Sequence, residues 1–222
     1  MVDRHRYARL RTDAGGTGMT EQVAATGRKR GPYAKTKRTR AAILDAALDV
    51  FARGGYRSGS IRDIATAVGM SEAGLLHHFP TKSALLAAVL EHRDQRSIDV
   101  LGTDDADPLA TLRGLVELAR YNASVPGVVA LYCTLSAEAT DPGHPAHAYF
   151  VTRYADTVGR LERAFDGCRE LGRLRDGTTP GSAARQAVAV MDGLQVQWLL
   201  DPEGVDMAAE LDRFLREVVD FD

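Results

Sequence analysis

SIRDIATAVGMSEAGLLHHFPTK, residues 60–82, reads as two short helices meeting at a tight turn. Ser60 is placed to cap a first helix whose Ile61, Ile64, Ala65 and Val68 fall on one face. Gly69 supplies the permissive backbone that a sharp turn requires. Ser71 caps a second helix, in which Leu75, Leu76 and Phe79 form the next expected buried set, and Pro80 closes it. Two helices joined by a short, glycine-containing turn make a helix-turn-helix, and the second has the size to enter a DNA major groove.

Upstream, Ile43, Ala46, Ala47, Val50 and Phe51 recur at helical spacing, which predicts a helix from Thr39 to Phe51 ended by Gly54-Gly55. Downstream, Leu85, Leu86, Val89 and Leu90 predict another from Lys82 to about Gln95. With both flanks in register, the segment resembles the DNA-binding domain of TetR-family transcriptional regulators. Ile64, Ala65, Gly69, Ser71, His77, His78, Phe79, Pro80 and Lys82 carry the likeness, over roughly a quarter of the chain. Gly74 and Leu76 depart from it, since the family commonly has Thr or Ser, and Tyr, at those positions. The resemblance also implies that Tyr56 packs at the corner after the first helix.

Charge divides along the chain. The net formal charge is -2, yet residues 1–94 hold 16 basic against 9 acidic side chains, and the remaining 128 residues hold 12 against 21. A basic head on an acidic body points to one end that meets polyanions. Arg28, Lys29, Arg30, Lys35, Lys37, Arg38 and Arg40 cluster just before the first helix. Residues 1–36 show no sustained apolar period and are expected to form a disordered basic arm, able to follow phosphates or enter a minor groove. Met19 is an alternative start to Met1.

At the recognition helix, Glu72 and Ala73 occupy the first turn, where such a helix meets base edges. Glu72 is suited to accept from a cytosine amino group and Ala73 to touch a thymine methyl. His77 and Lys82 are read as phosphate partners, and His78 as packing toward the first helix. Leu76 removes the tyrosine hydroxyl that the family directs at a phosphate, which gives the basic arm more weight. The full expected DNA-binding set is Arg38, Arg40, Ser60, Ser71, Glu72, Ala73, Gly74, His77 and Lys82.

The expected fold is all-α. An arm (1–36) precedes a three-helix helix-turn-helix domain (37–95) and a helical effector-binding and dimerisation domain (96–222), with the helix at the boundary running across it. After a loop at 101–108, helices are expected over Leu109–Ser124, Val128 to about Ala139, Pro145 to about Leu171, Ser182–Leu200 and Met207–Val219. In the resembled family the last two helices pair with a twofold mate. Met191, Leu194, Trp198, Leu211, Phe214 and Leu215 are therefore the expected dimer interface, which suits reading a palindrome.

The resemblance implies a ligand-responsive regulator, a repressor released from its palindromic operator when a small molecule enters the C-terminal domain. Polar and aromatic residues on otherwise apolar helices are the pocket candidates: Tyr121, Asn122, Tyr132, Cys133, Tyr154, Met191, Gln195 and Trp198. The alternative is an architectural DNA-binding protein without an effector, which the sizeable acidic domain disfavours. An enzyme is not expected, because Gly-rich phosphate loops, nucleophile elbows and HExxH are absent from the sequence. His144 and His147 lack supporting ligands, so neither metal nor cofactor is expected; Cys133 and Cys168 read as free thiols. No run of about 18 apolar residues occurs, and no apolar signal core opens the chain, so a cytoplasmic protein without a membrane partner is expected. Double-stranded DNA, a second copy of the chain and an unidentified effector are the expected partners.

Overall fold

The computed structural model of the chain describes residues 32–101 and 107–221. Among them run nine helices: α1 (Pro32–Ser58), α2 (Ile61–Ala67), α3 (Glu72–His78), α4 (Lys82–Leu101), α5 (Pro108–Ala123), α6 (Pro126–Glu138), α7 (His147–Glu170), α8 (Pro180–Leu200) and α9 (Met207–Val218). The only extended pairing among the described residues is one antiparallel bridge, Leu174 to Val219. The all-α expectation holds.

Local chemistry sets most of the boundaries. The Ser60 side chain accepts from the Asp63 amide at 3.0 Å and Ser71 from Gly74 at 3.1 Å, so both motif helices are capped as their sequence requires. Asp107, Thr179 and Asp206 cap α5, α8 and α9 in the same way. Between α2 and α3, Gly69 adopts φ 69°, the left-handed turn that other residues resist. Gly55, at φ 74° and ψ 165°, breaks α1 before the last residues of its span.

Several expectations shift. Most of the arm expected over 1–36 lies outside the described residues, as do Arg28, Lys29 and Arg30; residues 32–36 are helical and belong to α1. The loop expected at 101–108 falls mainly on residues 102–106, also outside them. The 141–145 segment folds on itself instead of starting a helix. Asp141 accepts from the Gly143 amide at 2.9 Å and His144 Nδ1 from Ala146 at 3.2 Å, which delays α7 to His147. His147 Nδ1 lies 2.7 Å from the Ala139 carbonyl oxygen, so both histidines are engaged in the backbone here.

Leu76 is a further correction. It stands 39% exposed, while Leu75 and Phe79 turn inward. Apolar packing also crosses the boundary expected near residue 95. Ile43, Phe51, Ile64, Leu75, Phe79, Leu85 and Val89 pack with Leu131, Leu135 and Phe150 of α6 and α7, and with Ala139 just after α6, in one core. A second core gathers α5, α7, α8 and α9.

That second core absorbs most of the expected dimer interface. Leu211 and Leu215 are fully enclosed, and Met191, Leu194 and Trp198 are buried, all within one protomer. Phe214 alone of the six is half-buried. The packing of α8 against both α7 and α9 consumes these side chains, leaving a different face of α8 outward.

Candidate functional site

The recognition helix α3 projects from a rigid frame. Leu75 and Phe79 anchor it, and its outer surface carries Ser71, Glu72, Ala73, Leu76 and His77, all exposed. Gly74 is half-buried; a methyl group there would stand 3.3 Å from the Ser71 hydroxyl, crowding the cap. Arg38 is exposed on α1 and Ser60 half-buried at the α2 cap. The expected contacts on α3 are thus brought together on one short helix.

Two basic residues of the expected set have structural employment. The Arg40 guanidinium lies 4.2 Å from the Phe79 ring centroid, with Nη1 3.5 Å from the His78 carbonyl, tying α1 to the end of α3. Lys82 Nζ donates to the Arg57 carbonyl at 2.9 Å and sits 4.7 Å above the Tyr56 ring. Tyr56 in turn packs edge-on against Phe51 and its hydroxyl lies 3.2 Å from Ser83 Oγ, which is the corner role expected of it. It is the His78 carbonyl that Arg40 on α1 reaches, while the His78 ring stacks edge-on against His77.

Behind this head, α4 to α8 enclose a cavity of about 390 Å³. Of the eight expected pocket residues, Asn122, Tyr132, Cys133, Tyr154, Met191 and Gln195 line it; Tyr121 instead packs against the second core. Trp198 is likewise buried in that core. Leu115, Leu118, Val129 and Phe150 supply an apolar body. A second cavity of about 690 Å³ lies between α4, α5 and α7, and Leu115, Leu118, Arg153, Thr157 and Leu161 line both.

The polar wall is a network centred on α4. Tyr132 donates to the Leu90 carbonyl at 3.0 Å and its hydroxyl lies 3.0 Å from that of Tyr149. Tyr149 donates to Asp94, which also pairs with Arg153 at 3.1 Å. Burial, reinforced by neighbouring Asp94, pushes the Tyr132 and Tyr149 hydroxyls well above the ordinary phenol range. Burial, then the hydrogen bond to Asp192, raises Tyr154 to about 12, and burial raises the Cys133 thiol. These groups stay protonated near neutral pH and serve as hydrogen-bond donors. A thiol held protonated is a poor nucleophile, so the wall is built for binding.

Arg93, Arg153 and Asp192 are the charged lining residues that sequence reasoning missed. Charges on a helix ordinarily read as a solvated face, and only the register of three helices turns these inward. Farther out, Asp45 on α1 accepts from Arg96 at 2.6 Å and lies 2.9 Å from His92 Nε2, fastening the head to α4.

With this geometry in view, the likeness to known proteins is specific. Residues 43–89 match the model for bacterial regulatory proteins of the tetR family, and residues 144–220 match that for the C-terminal part of BetI-type transcriptional repressors. The chain belongs to the TetR family. Among curated TetR-family relatives, the HTH-type transcriptional regulator TtgR of Pseudomonas putida is 27% identical over 198 residues, 82% of this chain and 90% of that one. NalD of Pseudomonas aeruginosa, the secondary repressor of the MexAB-OprM multidrug efflux pump, superimposes with TM-score 0.65 at 27% identity, covering 85% of this chain and all of that one. SmeT, the repressor of the Stenotrophomonas maltophilia efflux pump SmeDEF, was solved with triclosan. That complex gives TM-score 0.70 at 25% identity over 83% of this chain and 93% of that one.

This TetR-family protein is a DNA-binding, helix-turn-helix transcriptional regulator, and its family comprises regulators of transcription rather than enzymes. No helix among the described residues is long and apolar enough to cross a membrane.

Proposed function

We propose that the protein is a homodimeric repressor that leaves a palindromic operator when a small molecule occupies the cavity behind its DNA-reading head. The observation that carries this reading is the two-faced helix α6. Its Tyr132, Cys133 and Ser136 line the cavity, while Leu131 and Leu135 pack into the helix-turn-helix core with α1. An occupant that displaces α6 or α4 therefore acts on the frame holding α3. Release follows if the ligand binds the non-DNA-competent arrangement more tightly. Triclosan in SmeT supports an apolar, aromatic-sized occupant for this architecture.

On DNA, Glu72, Ala73 and Leu76 face base edges, while Ser71, Gly74 and His77 lie along the backbone. Arg38 and residues of the arm add phosphate contacts; Arg40, Ser60 and Lys82 chiefly hold the frame that orients them. The dimer forms on the outward stripe of α8, where Val196 and Leu200 are 48% and 82% exposed and Ala189 and Gly193 allow close approach. The protein works in the cytoplasm, where its DNA lies.

The test is binding of the purified protein to DNA from upstream of its own coding region, at two salt concentrations, against unrelated competitor. Tight, competitor-resistant binding at a palindrome is expected. Weak binding to any DNA, with the whole affinity lost to salt, would replace this reading with that of an architectural protein.

A further inference from the structure

We infer that the effector is an organic anion, an acid with an apolar body, and that Arg93 on α4 is its anchor. This rests on the cavity of about 390 Å³ being the effector site. Arg93 lines that cavity and is 6% exposed. Its contacts are all neutral: Nη2 donates to Asn122 Oδ1 at 2.7 Å, Nη1 to Ser97, and the guanidinium lies 4.9 Å from the Tyr132 ring centroid. Its Nε has no partner. No carboxylate among the described residues pairs with it, whereas Arg153 on the same wall pairs with Asp94.

A guanidinium cannot shed its proton, and a buried charge without a counter-ion is costly. The protein therefore keeps a permanent, uncompensated cation at the cavity wall. The other lining charge without an ion pair is Asp192, which accepts from Tyr154 at 2.8 Å. Burial raises its pKa, so Asp192 can relieve its own cost by taking up a proton. Arg93 has no such escape, and the balance favours an incoming anion. The apolar lining of Leu115, Leu118, Val129, Phe150 and Met191 accommodates the rest of the molecule. Because Leu85, Leu86 and Val89 of the same helix sit in the helix-turn-helix core, a pull on Arg93 is applied directly to the head.

The experiment titrates the full chain with three probes of one shape: 4-phenylbutyrate, its amide, and 4-phenylbutylamine. Binding is read by calorimetry and thermal shift. The acid is expected to bind about tenfold or more tighter than the amide, the amine weakest, as a charge-assisted hydrogen bond dictates. In Arg93→Gln the acid should fall to within about threefold of the amide, with amide binding unchanged; Arg93→Lys should retain a preference for the acid. Equal or weaker binding of the acid by the unaltered protein overturns the anion assignment and leaves the cavity reading standing. So does an acid preference that survives a folded Arg93→Gln. Binding of none of the three overturns both.

Discussion

Leu75 and Leu76 adjoin on α3, one fully enclosed and the other 39% exposed, because successive residues on a helix point about 100° apart. Leu75→Ala should lower unfolding free energy by about 2–5 kcal/mol in urea titrations, as deletion of a buried side chain does. Leu76→Ala should stay within about 0.5 kcal/mol of the parent in the same titration. Asp192 makes a prediction in pH. Its carboxyl binds a proton more readily when folded than when unfolded, so stability is lost as pH rises from the ordinary value of about 3.9 through the raised one. Above the ordinary carboxyl range the group is therefore a net cost to the fold, whether it stays ionised or takes up a proton. Asp192→Asn, which can still accept from Tyr154, should melt higher than the parent at pH 7, with the difference closing below about pH 4. A lower melting point at pH 7 would contradict the sign.

Among the elements, α6 and α4 are joined by hydrogen bonds as well as apolar packing. The Tyr132 hydroxyl binds the Leu90 carbonyl and meets the Tyr149 hydroxyl, whose own partner is Asp94 on α4. Tyr132→Phe keeps the ring beneath both Arg93 and Arg153 while removing these bonds. It should cost about 1–2 kcal/mol in chemical denaturation. If α6 transmits the ligand signal to the head through this link, the variant should also need more effector to leave DNA. Unchanged effector sensitivity in an operator-release assay would assign the transmission to apolar contacts alone. The second link, Arg57 and His144 each 3.6 Å from Glu138, is more exposed and contributes less.

For the molecule as a whole, the proposed dimer seam would make the two faces of α8 separate folding from assembly. Leu200→Asp combined with Val196→Asp should yield monomers by sedimentation velocity with helical circular dichroism intact. Leu215→Asp, by contrast, places a charge in a fully enclosed site and should abolish the fold itself. A double variant that still sediments as a dimer would move the interface off this stripe.

The helices, their caps and the turn between α2 and α3 were legible in the sequence because each depends on neighbours within a few positions. Ser60, Gly69 and Ser71 do their work through local backbone geometry. Five polar cavity residues were legible too, since a tyrosine, an amide or a thiol on an apolar helix has few reasons to face water. The orientation of the apolar helices was not. Met191, Leu194, Trp198, Leu211 and Leu215 look equally suited to a partner or to a core, and only the packing of α8 against α7 and α9 assigns them inward. The same holds for Arg93, Arg153 and Asp192, distant in sequence and gathered around one cavity. Local interactions choose the elements, but which face of each is buried, and which charges end up without water, is set by long-range packing that no single stretch encodes.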